Sequence, residues 1–402
     1  MVIAMLRAVL AVSLVIGCAA PAPASDGGVA PGDASGAASN QWVLGYYTAY
    51  DLHLYPIAEL DWTGLTHVAF AGLQVHPDRT LDLSFFDERG MGAADARQFV
   101  AGAHAHGVKA LVMLGGAGTG VNIAAAATPA HRAELVGRLI EALDTLGGYD
   151  GIDLDWEDAV ELDDLVALAH DLRAAKPDLL LSYPANAING NYQTVDPRFA
   201  QLAQSLDRFM VQTYYPSTAV AGQGWSSWFV SPLSGVTGST PIAIDDTLAR
   251  YVAAGVPAAK LGMGISFYAI CYTGGVSAPR QLLVDGQDIV GGDGSYPLSL
   301  MFAPGGTYAR ASATERRRDP VAAEPYLSLD AAVDDPQCGA ATRYISFEDE
   351  TSIIAKGAFS RSHGYGGIII WTINLGRLPA NAVDGRAPNA LFQALKRGFL
   401  DP

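Results

Sequence analysis

Charge is scarce in this 402-residue chain, and positive charge is scarcer still. Only 16% of residues are charged, 25 Lys and Arg stand against 41 Asp and Glu, and the formal net charge is −16. Nucleic-acid binding needs a surface of clustered Lys and Arg, so that class of partner is excluded. Cysteine is rarer, at three residues. The histidines offer no ligand spacing across strand ends: His104, His106, His131, His170 and His363 fall on helices or in their last turns and read as surface or capping residues. No cofactor is implied, and a metal is unnecessary. The apolar run Ala8–Ile16, behind Arg7, is too short to span a bilayer.

What is present is a large apolar fraction, 50% of the chain, enough to bury a sizeable core. Length alone allows two or three domains, but a barrel of about 250 residues with insertions also fits as one unit. There is no internal repeat. Residues 19–39 are almost all Ala, Pro, Gly, Ser and Asp, which cannot bury apolar surface and read as a flexible tether. The apolar run before them ends in Val15-Ile16-Gly17-Cys18. That ending resembles a bacterial lipobox, with Cys18 lipidated after cleavage at the cell envelope; an ordinary signal peptide is the alternative. Either way the folded part is expected to be exported. If Cys18 carries lipid, Cys271 and Cys338 remain as an even pair in an oxidising compartment. A disulfide between them would clip the segment they bracket, and two unpaired buried thiols are the alternative.

From Trp42 onward, strand-like runs alternate with helix-like ones, the pattern of a parallel sheet. Strands are expected at 42–49, 65–75, 108–116, 149–157, 179–184, 209–215, 260–268 and 367–374. Helices are expected at 93–106, 129–146, 159–175, 197–206, 245–254, 352–363 and 389–398. Eight strands in this alternation predict an α/β fold, a (β/α)8 TIM barrel with its chemistry at the C-terminal strand ends. The spacing breaks once, over about 270–342, which is too long for a plain connection and reads as a small α+β insertion. Within it, Arg316-Arg317-Arg318 lies beside Glu315 and Asp319 and reads as a solvated face.

The stretch Tyr149-Asp150-Gly151-Ile152-Asp153-Leu154-Asp155-Trp156-Glu157 departs from that background. On a strand, Asp153, Asp155 and Glu157 share one face while Ile152, Leu154 and Trp156 share the other. Buried carboxylates cost several kcal/mol per ion unless protons or partners are supplied. Like charges roughly 7 Å apart also push their pKa values apart, which lets one keep a proton for general-acid work.

The run from Asp150 to Glu157 resembles the signature of family-18 glycoside hydrolases, the chitinases and their relatives. Weaker likenesses fall on other strands: Gly45-Tyr46-Tyr47, Phe70, Gly115-Gly116, Gln212-Thr213-Tyr214, Gly264-Ile265-Ser266-Phe267-Tyr268, and Gly366 to Trp371. Glu324-Pro325-Tyr326-Leu327 and Tyr344–Glu350 are similar to the way the family's insertion rejoins its barrel. The resemblance implies a retaining glycosidase, expected as a monomer, for chitin or its N-acetylglucosamine oligomers. Glu157 would be acid and base, Asp155 and Tyr214 would hold the substrate acetamido group, Asp153 would share a proton with Asp155, and Tyr46 would support the inner aspartate. It implies substrate contacts at Tyr46, Phe70, Gly116, Trp156, Gln212, Tyr215, Tyr268 and Trp371. An endo-β-N-acetylglucosaminidase, a peptidoglycan hydrolase and a non-catalytic lectin are the alternatives. Three positions depart from the family's pattern: Met113 where a serine often stands, Gln212 for methionine, and Tyr215 for an acid or amide. The insertion is expected to deepen the cleft, favouring exo or processive action.

Overall fold

The computed structural model describes residues 41–290 and 296–401. The lipobox, Cys18 and the tether lie outside the described residues. Eight parallel strands close into a barrel: Trp42–Thr48, His67–Val75, Lys109–Gly115, Gly151–Asp155, Leu180–Asn186, Arg208–Gln212, Leu261–Ser266 and Gly367–Trp371. Closure comes from the first strand pairing with both the second and the eighth. The expected alternation is therefore observed, with most strand ends trimmed by one to several residues, while the fifth strand runs on to Asn186 and the sixth begins at Arg208. The fourth strand stops at Asp155, so Glu157 stands on the loop just beyond it.

Period-two alternation divides the strand side chains between two cores. Trp42, Leu44, Tyr46, Ala69, Leu111, Met113, Met210 and Ile369 point into the barrel and pack on one another. Val43, Tyr47, Phe70, Val112, Ile152, Leu154, Phe209 and Ile370 belong to the larger shell under the helices. Strand register then sets the height of each inward residue. Met113 and Ser182 flank Asp153 on the neighbouring strands, and Gly115 is level with Asp155.

Helical segments differ from expectation in two places. The segment expected at 129–146 is helical only over Arg132–Thr145. The alanine-rich run Gly120–Ala127 forms a helix of its own, which the absence of an apolar face period had hidden. The connection from Thr213 to Ala243 is a long loop with no regular element.

After the seventh strand the chain builds a separate five-stranded antiparallel sheet between Ile270 and Ser346. It then returns through the helix Glu350–Ser362, whose N-terminus is closed by a reciprocal Asp349–Ser352 capping box. Arg317 and Arg318 in this insertion are exposed and Arg316 is half-buried, with Arg316 paired to Asp384 and Arg318 to Asp349.

Cys271 and Cys338 form a disulfide across 67 residues of sequence, joining a strand of the insertion sheet to a turn of the same sheet. Closing a loop of that length restricts the unfolded chain and is worth about 2–4 kcal/mol. Replacing both cysteines by alanine is expected to lower the unfolding free energy by about that amount, read from denaturant melts. An unchanged midpoint would rule out a stabilising role for the bridge.

Candidate active site

The site is built from the inward residues nearest the C-terminal strand ends. Asp153 is fully buried. Both of its oxygens are occupied: the Tyr46 hydroxyl donates to Oδ2 at 2.8 Å and the Ser182 hydroxyl to Oδ1 at 2.6 Å. Burial is the largest influence on this carboxyl and pushes it up to about 6. The two hydroxyl donors pull it back, and the negative charge of Glu157 adds a smaller upward push. The Tyr46 phenol is driven well above its ordinary value, by burial first and then by the charges of Asp153 and Asp155, so it stays a donor. Asp155 sits one step of the alternation higher, also buried, with its side chain at the base of an open cleft.

That cleft has a volume of about 780 Å³. Asp155, Glu157, Gln212, Tyr214, Tyr268 and Trp371 all line it, with Tyr50 and Phe86 on one flank and Tyr215 and Ile242 on another. Gln212 donates through Nε2 to Glu157 Oε1 at 2.8 Å. The Trp371 ring lies 5.1 Å from Tyr46, and the Tyr214 and Tyr268 rings meet edge-on at 6.3 Å. Glycine makes the Tyr214 position accessible: a Cβ on Gly264 would stand 2.6 Å from Tyr214 Cδ1. At the end of the third strand, Gly116 takes a φ of +109° and donates its N–H to the Asp155 carbonyl at 2.8 Å, a turn that favours glycine. Among the described residues no Lys, Arg or His lines the cleft, and its carboxylates are Asp155 and Glu157 alone. No group of three or more His, Cys, Asp or Glu among the described residues is arranged to hold a metal ion.

Most of the expected site residues converge: Glu157, Asp155, Tyr214, Gly116, Gln212, Tyr215, Tyr268 and Trp371 line one cleft, with Asp153 directly beneath. Three expected substrate contacts are corrected. Phe70 lies on the outward face of the second strand, 5.3 Å from the Phe99 ring and fully buried. Trp156 is buried in the same outer shell, its indole N–H donating to the Asp158 carbonyl at 3.0 Å. Tyr46 lies inside the barrel below Trp371 and off the cleft wall, and its bond to Asp153 is the supporting contact that the first-strand likeness implies. The insertion also does not build the cleft as expected. No described residue of its sheet lines the wall, whose flank comes instead from Tyr215, Pro216, Ser217 and Thr218 in the long loop after the sixth strand.

Sequence reasoning did not find Ser182, although register places it beside Asp153. Nor did it find Asn186, Asn189 and Gln193, which line the cleft from the fifth strand and the loop beyond.

The chain matches Glycosyl hydrolases family 18 over residues 42–376. It is 25% identical to Chitinase 1 of Aphanocladium album over 352 residues, 78% of this chain and 76% of that protein. A Class V chitinase mutant of Nicotiana tobaccum in complex with NAG4 has the same fold. That likeness has a TM-score of 0.67 at 19% identity, covering 89% of this chain and 99% of that one. A chitinase-like agglutinin of Robinia pseudoacacia is similar to the same degree: TM-score 0.65, 20% identity, 89% of this chain and 99% of that one.

Proposed function

Because this chain belongs to family 18 of the glycosyl hydrolases, we propose that it hydrolyses β-1,4 bonds between N-acetylglucosamine units of chitin or chitooligosaccharides, with retention. The observation that carries the reading is the placement of Glu157 on the wall of a ring-lined cleft, together with Tyr214 and Trp371 and above the buried Asp153. Aromatic rings stack on the apolar faces of sugars, and the two carboxylates supply the charge among the described residues of the cleft.

Family 18 stands outside the scheme in which two carboxylates act as acid and nucleophile, because its substrates supply their own nucleophile. In the proposed reaction the substrate acetamido oxygen attacks the anomeric carbon. The C–O bond to the leaving sugar breaks, its electron pair stays on the glycosidic oxygen, and Glu157 delivers a proton there. Asp155 accepts a hydrogen bond from the acetamido N–H and balances the developing oxazolinium charge, with Tyr214 beside it. Water then attacks the anomeric carbon from the side the leaving sugar vacated, giving its proton to Glu157, and the bond from that carbon to the oxazolinium oxygen breaks to restore the acetamido group. Asp153 sits below as the partner that would share a proton with Asp155, its own carboxyl pushed up to about 6 by burial.

Two neighbours of this reading take the same carboxylates. Peptidoglycan carries acidic peptide stems, and the described residues of the cleft offer no cationic side chain to pair with them. A neutral polymer of N-acetylglucosamine fits better. The agglutinin of the same fold supports a second reading, a lectin, against which stands the retained Glu157. The lipobox-like Val15–Cys18 supports export, with acylation of Cys18 as the proposed anchor.

Early products decide between the chemistries. With chitotetraose, proton NMR within the first minutes is expected to show the new reducing end as the β-anomer, before mutarotation. An initial α-anomer would refute substrate assistance. Parallel release from chitotriose, a high-mannose glycopeptide and peptidoglycan separates the substrate classes.

A further inference from the structure

Glu157 receives its hydrogen bond from a neutral side chain. Gln212 ends the sixth strand, shares the inward face with Met210, and donates an amide N–H to Glu157 Oε1 at 2.8 Å. Other titratable groups around Glu157 are all acids or phenols: Asp153 and Asp155 from its own strand, Tyr183 from the fifth, Tyr214 and Tyr215 from the sixth, and Tyr268 from the seventh. Among the described residues no cation from any of these elements lines the cleft to fix the carboxylate. Its orientation therefore falls to the amide.

Resting on the glycosidase reading above, we infer that Gln212 is a positioning residue that holds Oε1 of Glu157 as a standing acceptor and leaves the transferable proton on Oε2. A carboxyl oxygen already receiving an N–H cannot take a proton on that side without losing the bond, so protonation is directed to the other oxygen. In the first step the Oε2 proton passes to the glycosidic oxygen as the C–O bond breaks, and the Oε1 bond strengthens on the anion that remains. In the second step Oε2 takes the proton of the attacking water, and the amide is again bonded to Oε1. The same contact thus serves both halves of the cycle without moving. Because the contact sets which oxygen carries the proton, it bears on the step in which a poor leaving group must be protonated.

Gln212→Met keeps the length of the side chain and removes the donor. Two substrates separate positioning of the acid from general damage: chitotetraose, whose leaving alkoxide must be protonated, and 3,4-dinitrophenyl N,N′-diacetylchitobioside, whose phenolate leaves unassisted. For the variant, kcat/KM on chitotetraose is expected to fall roughly tenfold or more, while on the aryl glycoside it stays within about threefold. Gln212→Leu, carried in parallel, is expected to give the same pattern and covers the case in which one variant does not fold. Equal losses on both substrates, or no loss on chitotetraose, would overturn the inference while leaving the glycosidase reading intact. A wild-type protein that cleaves neither substrate would overturn both.

Discussion

Glu157→Gln is expected to lower kcat on chitooligosaccharides by roughly a thousandfold or more while leaving the fold and the sugar affinity in place. The substitution is nearly isosteric and removes the group that gives and takes the proton. Its neighbours are undisturbed: Asp153 keeps its bonds from Tyr46 and Ser182, and the new amide carbonyl can still accept from Gln212. Deleting one negative charge near Asp153 also relieves a repulsion, so thermal unfolding should stay within about 0.5 kcal/mol of wild type. Calorimetric titration with chitotetraose should give an affinity close to that of the intact site, since the rings of Tyr214, Tyr268 and Trp371 are untouched. Hydrolysis by this variant at the wild-type rate would remove Glu157 from the mechanism. Tight binding with no turnover by the wild-type chain would instead favour the lectin reading.

The barrel was legible because strand–helix alternation survives any error in strand ends. The carboxylate face was legible for a related reason. Asp153 and Asp155 share parity on one strand, and two acids on one face of a buried strand have few uses. Parity also explains what was misjudged. Phe70 lies between Ala69 and Ala71, both inward, so it must face outward; Trp156 likewise alternates with Asp155. The family likeness points to both aromatics as substrate contacts, and the pleat places both outward. Ser182 required a different kind of information, since only the register of the fourth strand against the fifth brings it to Asp153. The long loop after the sixth strand, which supplies one flank of the cleft, has no periodicity to read. The insertion was visible as an interruption, but its partner on the barrel was not. Part of that contact lies in three charged residues separated widely in sequence.

Those residues are Glu324, Glu348 and Lys356, all without exposed surface. Glu324 begins a long strand of the insertion, Glu348 follows the sheet's last strand in sequence, and Lys356 lies on the helix that returns to the barrel. Lys356 Nζ donates to Glu324 Oε2 at 2.6 Å and also to Glu348 Oε1, while Ser231 N–H donates to Glu324 Oε1 at 3.0 Å. Two acids face one cation in a fully buried site. Burial pushes Glu324 well above its ordinary value, the charge of Glu348 pushes it further, and the two carboxylates in turn hold Lys356 in its charged form. The group is therefore best balanced with one proton on the acids.

Lys356→Met removes the cation that both acids share and is expected to cost about 3–5 kcal/mol of unfolding free energy at neutral pH. The loss should depend on pH with a definite sign. An acid whose folded pKa is raised gives its full stability below the unfolded value, and loses it as pH rises through the folded value. Both acids already belong to that class, and losing the ammonium that pulls them down raises them further, so urea melts should show the variant nearest to wild type in acid and falling away toward alkaline pH. Adding Glu324→Gln and Glu348→Gln removes the charges that the lysine balanced, and the amide that replaces the Glu324 carboxylate still presents a carbonyl to the Ser231 N–H. The triple variant should recover most of the loss and flatten its pH dependence. A single variant equally destabilised at pH about 5 and about 8 would show that packing, not charge, is what Lys356 contributes to the seam between the insertion and the barrel.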